Sequence, residues 1–268
     1  MSLPPPPPQE QPKLVYGRPD NPTYVQVESV LAAMDGGVGA ALFASGMAAT
    51  AGMAQALLRV GDRMVCPSYS YFATRQFFHE YCERGGIEFV LFDSSVEGSL
   101  EAAIGNDGKT KLVWVETPAN PSWTVTDIAR AAAATHAANA TLVVDATVLT
   151  PLICRPIDFG ADFVMHSATK YLNGHSDVIA GVVVAATDDE RWKSVRRVRA
   201  MGGAVLGSFE AWLLMRGMRT LHVRVKRQSD TAMALALRLQ AHPKAGNVYI
   251  HPIFTSFHPA ISYRMHKA

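Results

Sequence analysis

Two hydrophobic patterns alternate along this chain and predict helices and strands in turn. Apolar residues recur at helical spacing between Val27 and Met34, and Gly36 ends that helix. Short continuous apolar runs follow, and such runs bounded by turn residues are typical of buried strands. The runs that we interpret as strands are 40–44, 87–92, 111–115, 141–144, 161–165 and 180–185.

Helical segments separate these runs. The clearest is the alanine-rich segment 125–139, and others begin after Ser45, at Ser208 and at Ser229. Alternation of strands with helices predicts an α/β domain with a mostly parallel sheet. We expect the helix that begins at Ser229 to lead into a second domain. The proline-rich start of the chain predicts an extended, mobile arm over residues 1–15.

Composition fits an enzyme-sized globular protein and excludes several other classes. The 268 residues can bury a sizeable core, and the net charge of +2 is too small to indicate a nucleic-acid partner. No uninterrupted apolar stretch reaches membrane-spanning length, and no secretory signal is visible. The three cysteines and nine histidines show no metal-ligand spacing. We therefore predict a cytoplasmic protein with no metal, no nucleic-acid partner and no membrane partner.

Residues 162–177 carry the most specific candidate chemistry. A predicted strand delivers the hydroxyls of Ser167 and Thr169 beside the amine of Lys170. Hydroxyls can bind a phosphate, and a lysine amine can form an imine with a carbonyl cofactor. A site for pyridoxal 5'-phosphate (PLP) needs both. Hydroxyls beside a lysine also occur on ordinary surface loops, so this segment alone leaves both interpretations open.

A carboxylate at the end of another predicted strand supplies a second requirement. Asp145 ends the apolar run 141–144, and the ligands of α/β sheets bind at the carboxyl ends of the strands. An aspartate partner keeps the pyridine nitrogen of PLP protonated, so that the ring can accept carbanion electrons. The structural alternative is that Asp145 caps a turn before Pro151.

The segment around Ser45 and Gly46 supplies a third requirement. Ser45 suits the N-cap of the helix that follows, and Gly46 allows the backbone to approach a ligand closely. The unpaired N–H groups at a helix N-terminus bind phosphate readily, and Met47 would contribute its backbone N–H. A Ser-Gly pair before a helix is a weak motif by itself, but here it is the third of a set.

An ordered series of segments resembles one family. The main matching segments are Tyr16-Gly-Arg18, Ala44-Ser-Gly-Met-Ala-Ala49, Tyr71 to Thr74, Val115-Glu-Thr-Pro-Ala-Asn-Pro121, Val144-Asp145, His166-Ser-Ala-Thr-Lys170 and Trp212-Leu-Leu-Met-Arg-Gly-Met-Arg-Thr-Leu-His222. Together they resemble the Cys/Met-metabolism (trans-sulfuration) family of PLP-dependent enzymes. The resemblance covers about residues 16–240. It implies the α/β large domain of the aspartate-aminotransferase-like fold (fold type I).

Carried over residue by residue, the resemblance implies roles around the cofactor ring. Lys170 would bind the cofactor covalently and then transfer protons, and Asp145 would pair with the pyridinium nitrogen, with Thr147 nearby. Tyr71 matches the residue whose ring stacks on the cofactor and whose hydroxyl is assigned a proton-transfer role. Asn120 matches the asparagine near the 3-oxygen of the ring. The implied catalytic residues are therefore Lys170 and Tyr71.

The resemblance also implies a phosphate site and an oligomer. The residues implied at the phosphate are Ser45, Gly46, Met47, Ser167 and Thr169. Tyr16 and Arg18 match residues that reach across a dimer interface to the phosphate of the neighbouring subunit, so the expected assembly is a homodimer or homotetramer. Arginine suits that role because it binds phosphate in a bidentate manner. Each residue taken singly also has an ordinary explanation, such as core packing for Tyr71 or a solvated loop charge for Arg18.

By resemblance, the function is γ- or β-replacement or elimination on sulfur amino acids or homoserine esters, with an amino acid as the small-molecule substrate. Chemistry like that of cystathionine γ-synthase is the first hypothesis. Cystathionine γ-lyase, methionine γ-lyase or cystathionine β-lyase chemistry is the second. A rival from another class is a truncated, catalytically impaired PLP-binding remnant that acts only as an interaction partner.

Three regions follow from the resemblance: the arm 1–15, a PLP-binding large domain over 16–225, and the start of a truncated C-terminal domain over 226–268. In the family, the C-terminal domain carries the arginine that clamps the substrate carboxylate. Residues 252–268 show no family pattern. Two explanations stay open: a truncated or frame-shifted chain, or a short variant in which Arg264 or another basic group replaces that arginine.

Overall fold

A seven-stranded sheet forms the centre of the computed structural model, which describes residues 16–243, 245–250 and 261–265. Its strands are β1 (Gly39–Phe43), β2 (Arg63–Pro67), β3 (Glu88–Phe92), β4 (Thr110–Glu116), β5 (Thr141–Asp145), β6 (Phe163–His166) and β7 (Gly181–Ala185). Their order is β1-β7-β6-β5-β4-β2-β3, and only β7 runs antiparallel to its neighbours. The predicted α/β fold with a mostly parallel sheet is confirmed.

Helices cover both faces of this sheet. They are α1 (Pro22–Asp35), α2 (Gly46–Leu57), α3 (Phe72–Gly85), α4 (Ser99–Ile104), α5 (Ile128–Ala137), α6 (Thr150–Ile153), α7 (Glu190–Gly202), α8 (Ser208–Met218) and α9 (Leu221–Gln240), with a 3-10 turn at Pro156–Phe159. An antiparallel hairpin of β8 (Ala245–Ile250) and β9 (Ile261–Met265) follows. The predicted arm 1–15 lies outside the described residues, and so does the side chain of Arg264.

Alternate residues of each central strand enter two separate hydrophobic cores. In β4, Val113 and Val115 pack into the core under α1, α5 and α8. Leu112 and Trp114 point the other way, into the core under α2, α3 and α7. Because both faces are covered, apolar residues occupy consecutive positions in the middle of the central strands. This explains why the strands appear in the sequence as continuous apolar runs.

The helix ends follow local capping chemistry. Gly36 ends α1 in the left-handed conformation (φ 76°), as predicted. The predicted helix 125–139 is shorter, because Asp127 accepts a hydrogen bond from the Arg130 N–H and caps α5 there. The helix predicted to begin at Ser229 instead begins at Leu221 and is continuous to Gln240. The predicted domain boundary after residue 225 therefore falls within a helix, and it stays a prediction.

One charge of α7 is buried rather than solvated. The sequence predicts a solvated basic face over residues 191–199, but the side chain of Arg199 is only 4% exposed. Its guanidinium pairs with Glu28 and donates to the carbonyl oxygens of Leu42 and Pro19. A charge can be buried where it is paired and hydrogen-bonded in this way. Arg199 thereby ties the start of the described chain to α1 and β1.

Candidate active site

Three neighbouring strands of the sheet end in ionisable side chains. Glu116 ends β4, Asp145 ends β5 and His166 ends β6. Glu116 and Asp145 are direct partners in the β4–β5 register, so their backbones lie side by side at one edge. His166 is fully buried and its Nε2 lies 2.9 Å from Asp35 Oδ2. The carboxyl edge of the parallel sheet is therefore where the candidate chemistry converges, as the topology requires.

Asp145 is buried, with 7% of its surface exposed. Its Oδ1 accepts hydrogen bonds from the N–H of Thr147 at 3.0 Å and from the Thr147 hydroxyl at 2.6 Å. The hydroxyl oxygen of Thr147 accepts in turn from the N–H of Ser167 at 2.8 Å. Burial raises the pKa of the Asp145 carboxyl, whereas the Thr147 hydrogen bonds and then the nearby His166 lower it. Asp145 thus caps its own turn through Oδ1, and this leaves Oδ2 to meet a cationic ligand.

The N-terminus of α2 lies directly beside the turn that follows β6. A Cβ atom added to Gly46 would lie 2.9 Å from both Cβ and Oγ of Ser167, so only glycine fits there without a shift. Ser45 is the N-cap, as predicted: its Oγ accepts from the Ala48 N–H at 3.0 Å. Ala49 donates to the Ser45 carbonyl. These bonds leave the N–H groups of Gly46 and Met47 for an anion.

Thr169 does not stand ready to donate to a phosphate. Its hydroxyl donates to the carbonyl oxygen of Ala180 at 3.1 Å and accepts from the Ala180 N–H at 3.0 Å. A hydroxyl has a single hydrogen to donate, so donation to a phosphate would require this bond to break. These two hydrogen bonds join the turn that contains Lys170 to the segment before β7. The predicted phosphate contact of Thr169 stays a prediction, and Ser167 is the better placed hydroxyl.

Lys170 lies on an exposed turn whose backbone is fixed by hydrogen bonds. Its N–H donates to the Ser167 carbonyl at 3.0 Å, and its side chain borders a cleft of about 760 Å³. The guanidinium of Arg224 in α9 holds the next residues of this turn, because it donates to the carbonyl of Tyr171 at 2.8 Å. A Cβ on Gly174 would lie 1.8 Å from Arg224 Nη1, so the glycine makes room for the arginine.

Tyr71 and Asn120 are brought together by a residue that the sequence interpretation missed. The N–H of Tyr71 donates to Glu116 Oε2 and the N–H of Asn120 donates to Glu116 Oε1, each at 2.7 Å. Glu116 is 5% exposed. Burial, followed by the neighbouring Asp145 carboxylate, raises the pKa of Glu116 to about 8. The signal that located Asp145, a carboxylate at the end of an apolar run, was equally present at Glu116.

Tyr16 and Arg18 contact a different part of the chain. Arg18 Nη1 donates to the carbonyl of Ala200 at 2.8 Å, and the guanidinium lies 5.5 Å from the ring centroid of Tyr16. Both residues are exposed at the end of α7. None of the contacts formed by these two residues joins them to Lys170 or Asp145 of the same chain. Their predicted contact with the phosphate of a neighbouring subunit stays a prediction.

Comparison with known proteins identifies the family. The family model described as "Cys/Met metabolism PLP-dependent enzyme" matches residues 7–267. The chain therefore belongs to this family of PLP-dependent enzymes, whose cofactor is pyridoxal 5'-phosphate. The predicted resemblance is confirmed.

Several relatives share this similarity. The chain is 40% identical to L-methionine gamma-lyase of Porphyromonas gingivalis over 90% of this chain and 60% of that protein. It is 38% identical to cystathionine gamma-synthase of Mycobacterium tuberculosis over 87% of this chain and 59% of that protein. The crystal structure of cystathionine gamma-lyase from Lactobacillus plantarum, complexed with L-serine, superposes with a TM-score of 0.91 at 31% identity, over 99% of this chain and 72% of that chain. The chain thus spans about 60% of the length of the curated relatives that it matches.

The residues of this edge fit the family's cofactor. Gly46 and Ser167 form a cradle that an added Cβ would fill, and the adjacent helix N-terminus suits a phosphate. Asp145 is a buried carboxylate that suits a pyridinium nitrogen. Within residues 16–243, no three His, Cys, Asp or Glu side chains gather as a metal site. No helix of the described chain is long and apolar enough to cross a membrane.

Replacing Gly46 by alanine tests the phosphate cradle. We expect Gly46→Ala to weaken PLP binding at least about tenfold and to destabilise the fold by about 1–3 kcal/mol, because the new Cβ crowds Ser167. PLP titration and urea unfolding measure the two effects. Gly202→Ala is the matched control, since its Cβ would meet no atom within 4 Å. Wild-type PLP affinity in Gly46→Ala would show that the phosphate binds elsewhere.

The Glu116–Asp145 pair predicts how stability depends on pH. In the folded chain Glu116 holds a proton up to a pKa of about 8, above the ordinary value of 4.5 that the unfolded chain has. The folded state therefore binds more protons, and the cofactor-free chain should lose on the order of 1–3 kcal/mol as pH rises from about 5 to about 9. Urea unfolding across this range measures the loss.

Two variants separate this effect from other titrations. Glu116→Gln should flatten the dependence, and Glu101→Gln should keep it, because Glu101 is a largely exposed carboxylate bound to Arg130. Equal losses of stability in the wild type and in Glu116→Gln would assign the titration to other groups.

Proposed function

We propose that this chain binds PLP at the carboxyl edge of its sheet through Lys170 and acts on amino-acid substrates. The carrying observation is that one edge brings together a buried carboxylate, a glycine cradle at a helix N-terminus and a lysine turn. These are the groups that hold the ring nitrogen, the phosphate and the carbonyl carbon of PLP.

Each residue has a distinct role in this proposal. Lys170 would attach the cofactor through Nζ. Once the substrate amine has displaced this lysine, its free amine would move the α-proton of the substrate. Asp145 holds a proton at the ring nitrogen, and Thr147 orients Asp145 through the 2.6 Å hydrogen bond. The N–H groups of Gly46 and Met47 bind the phosphate. Bound PLP supplies an electron sink for a substrate carbanion.

Further residues complete the proposed site. Ser167 donates its hydroxyl to the phosphate, and Ser45 caps the helix that presents the phosphate site. Tyr71 stacks on the ring, and Asn120 lies near its 3-oxygen. Tyr16 and Arg18 serve a neighbouring subunit, which makes a homodimer or homotetramer the proposed active unit.

The proposed reaction class is γ- or β-replacement or elimination on sulfur amino acids or homoserine esters. Support comes from relatives named as methionine gamma-lyase, cystathionine beta-lyase, cystathionine gamma-lyase and cystathionine gamma-synthase, which are 36–42% identical to this chain. These identities are too similar to favour one activity. Cystathionine γ-synthase-like chemistry stays the first hypothesis and the lyase activities the second.

Lys170 should carry the cofactor covalently. We expect the PLP-treated chain to absorb in the visible range, and borohydride reduction followed by peptide mass spectrometry to locate the added cofactor mass on Lys170. Lys170→Ala should lose both signals. Lys193→Ala is the matched control, because Lys193 is a surface lysine paired with Glu190. Modification of another lysine in the wild type would overturn this assignment.

The same preparations test the reaction class. Incubation with methionine, cystathionine or O-succinylhomoserine plus cysteine should release 2-oxobutanoate, pyruvate or cystathionine, and Lys170→Ala should release none. A wild-type chain that carries PLP on Lys170 and forms no product would contradict the proposed activity while leaving the cofactor site intact.

Asp145 should be needed both to retain the cofactor and to turn over the substrate. Asp145→Ala removes one partner of a buried ion pair with the ring nitrogen, and such a loss typically costs about 3–5 kcal/mol. We expect PLP content after dialysis to fall sharply. Asp162→Asn is the control, because this carboxylate lies at the opposite end of β6 and pairs with Arg191. Normal cofactor content in Asp145→Ala would contradict the pairing.

A further inference from the structure

Two loops that carry proposed cofactor contacts meet on a single carboxylate. We infer that Glu116 is a positioning residue of this site, which fixes the backbones of Tyr71 and Asn120 relative to Asp145. The inference rests on the proposed function for the identity of the ligand, but the clamp itself is a property of the cofactor-free chain.

The hydrogen bonds of Glu116 define the clamp. Each carboxylate oxygen accepts one backbone N–H, from Tyr71 at Oε2 and from Asn120 at Oε1, and both distances are 2.7 Å. Both lengths lie at the short end of the range for N–H···O hydrogen bonds. Neither oxygen of Glu116 is among the unpartnered buried atoms of the described residues. Each carboxyl oxygen of Glu116 therefore has a backbone partner, one from each of the two loops.

The topology explains why one side chain can reach both loops. Tyr71 follows β2 and Asn120 follows β4, and these two strands are neighbours in the sheet. On its other side β4 pairs with β5, where Glu116 lies opposite Asp145. Glu116 thus sits between the loop that carries Tyr71 and the carboxylate that faces the proposed ring nitrogen.

Few other contacts fix the orientation of Tyr71. Tyr71 is 39% exposed, and its ring packs edge-on against the exposed Phe72, with centroids 5.1 Å apart. Tyr71 is also the N-cap of α3, and no side chain caps this helix. A carboxylate at that position stabilises the unpaired N-terminal donors of the helix. The carbonyl of Tyr71 accepts from the Arg75 N–H within α3, so the N–H bond to Glu116 is the hydrogen bond that joins the Tyr71 backbone to β4.

Burial makes this arrangement costly for a purely structural role. Glu116 is nine-tenths or more buried, and the groups that act on it are Asp145 and the two backbone donors, with no basic side chain among them. If Glu116 served only to hold the two loops together, a neutral acceptor such as a glutamine side chain would avoid the free-energy cost of burying a second carboxyl group beside Asp145. A cation at Asp145, where the proposed ring nitrogen would lie, would offset that carboxylate and so favour the charged form of Glu116.

Three variants test the clamp. Glu116→Ala removes both acceptors, Glu116→Gln keeps one carbonyl oxygen, and Thr110→Val is the matched control. Thr110 lies at the opposite end of β4, is buried, and donates its hydroxyl to the Ile104 carbonyl at 2.6 Å. Thr110→Val therefore removes a buried hydrogen bond from the same strand without touching the site.

The first readout is amide hydrogen exchange in the cofactor-free chain, measured by NMR. We expect exchange at Tyr71 and Asn120 to accelerate roughly tenfold or more in Glu116→Ala, and at one of the two amides in Glu116→Gln. Thr110→Val should match the wild type at both. Wild-type protection of both amides in Glu116→Ala would overturn the clamp.

The second readout is PLP titration with visible circular dichroism, which reports the orientation of the bound ring. We expect Glu116→Gln and Glu116→Ala to bind PLP roughly 10- to 100-fold more weakly and to change the dichroism band. Thr110→Val should keep both. Unchanged affinity and dichroism in Glu116→Ala would refute a positioning role, even with faster amide exchange. A wild-type chain that binds no PLP would instead contradict the proposed function. The amide-exchange rates would then be the test of whether Glu116 holds the two loops.

Discussion

Two carboxyl groups are buried side by side where β4 and β5 end. The neighbouring loops must supply hydrogen-bond donors or a cation to stabilise them. Parallel strands bring their carboxyl ends to one edge, so the register that pairs Glu116 with Asp145 also sets like charges next to each other. Glu116 is satisfied by two backbone N–H groups from separate loops. Asp145 is only partly satisfied, through Thr147, and a cationic partner would complete it.

Three further contacts fix the segments around this edge. Thr169 fastens the lysine turn to the start of β7, and Arg224 holds the same turn from α9. A Cβ on Gly181 would lie 2.2 Å from the carbonyl oxygen of Ser45, so the start of β7 is in close contact with the N-cap of α2. These contacts join the turn that contains Lys170, the start of β7 and the N-terminus of α2.

Local patterns were enough to predict some parts of this molecule and not others. The positions of Asp145, Ser45 and Gly46 in the fold could be predicted, because each lies at a strand end or helix start that the apolar pattern marks. The antiparallel direction of β7 could not, since a run of valines has no direction. The contact of Arg224 with the lysine turn could not be predicted either, because the carbonyl oxygens of Tyr171 and Leu172 lie about 50 residues earlier in the chain. Arg199 was misjudged because its partner Glu28 is 171 residues away.

A crystal structure of this chain grown with PLP would test the proposed cofactor site most directly. We expect cofactor density continuous with Lys170 Nζ, the ring nitrogen within hydrogen-bonding distance of Asp145, and the phosphate at the N–H groups of Gly46 and Met47. A cofactor bound at another surface, or one whose ring nitrogen faces a group other than Asp145, would contradict it.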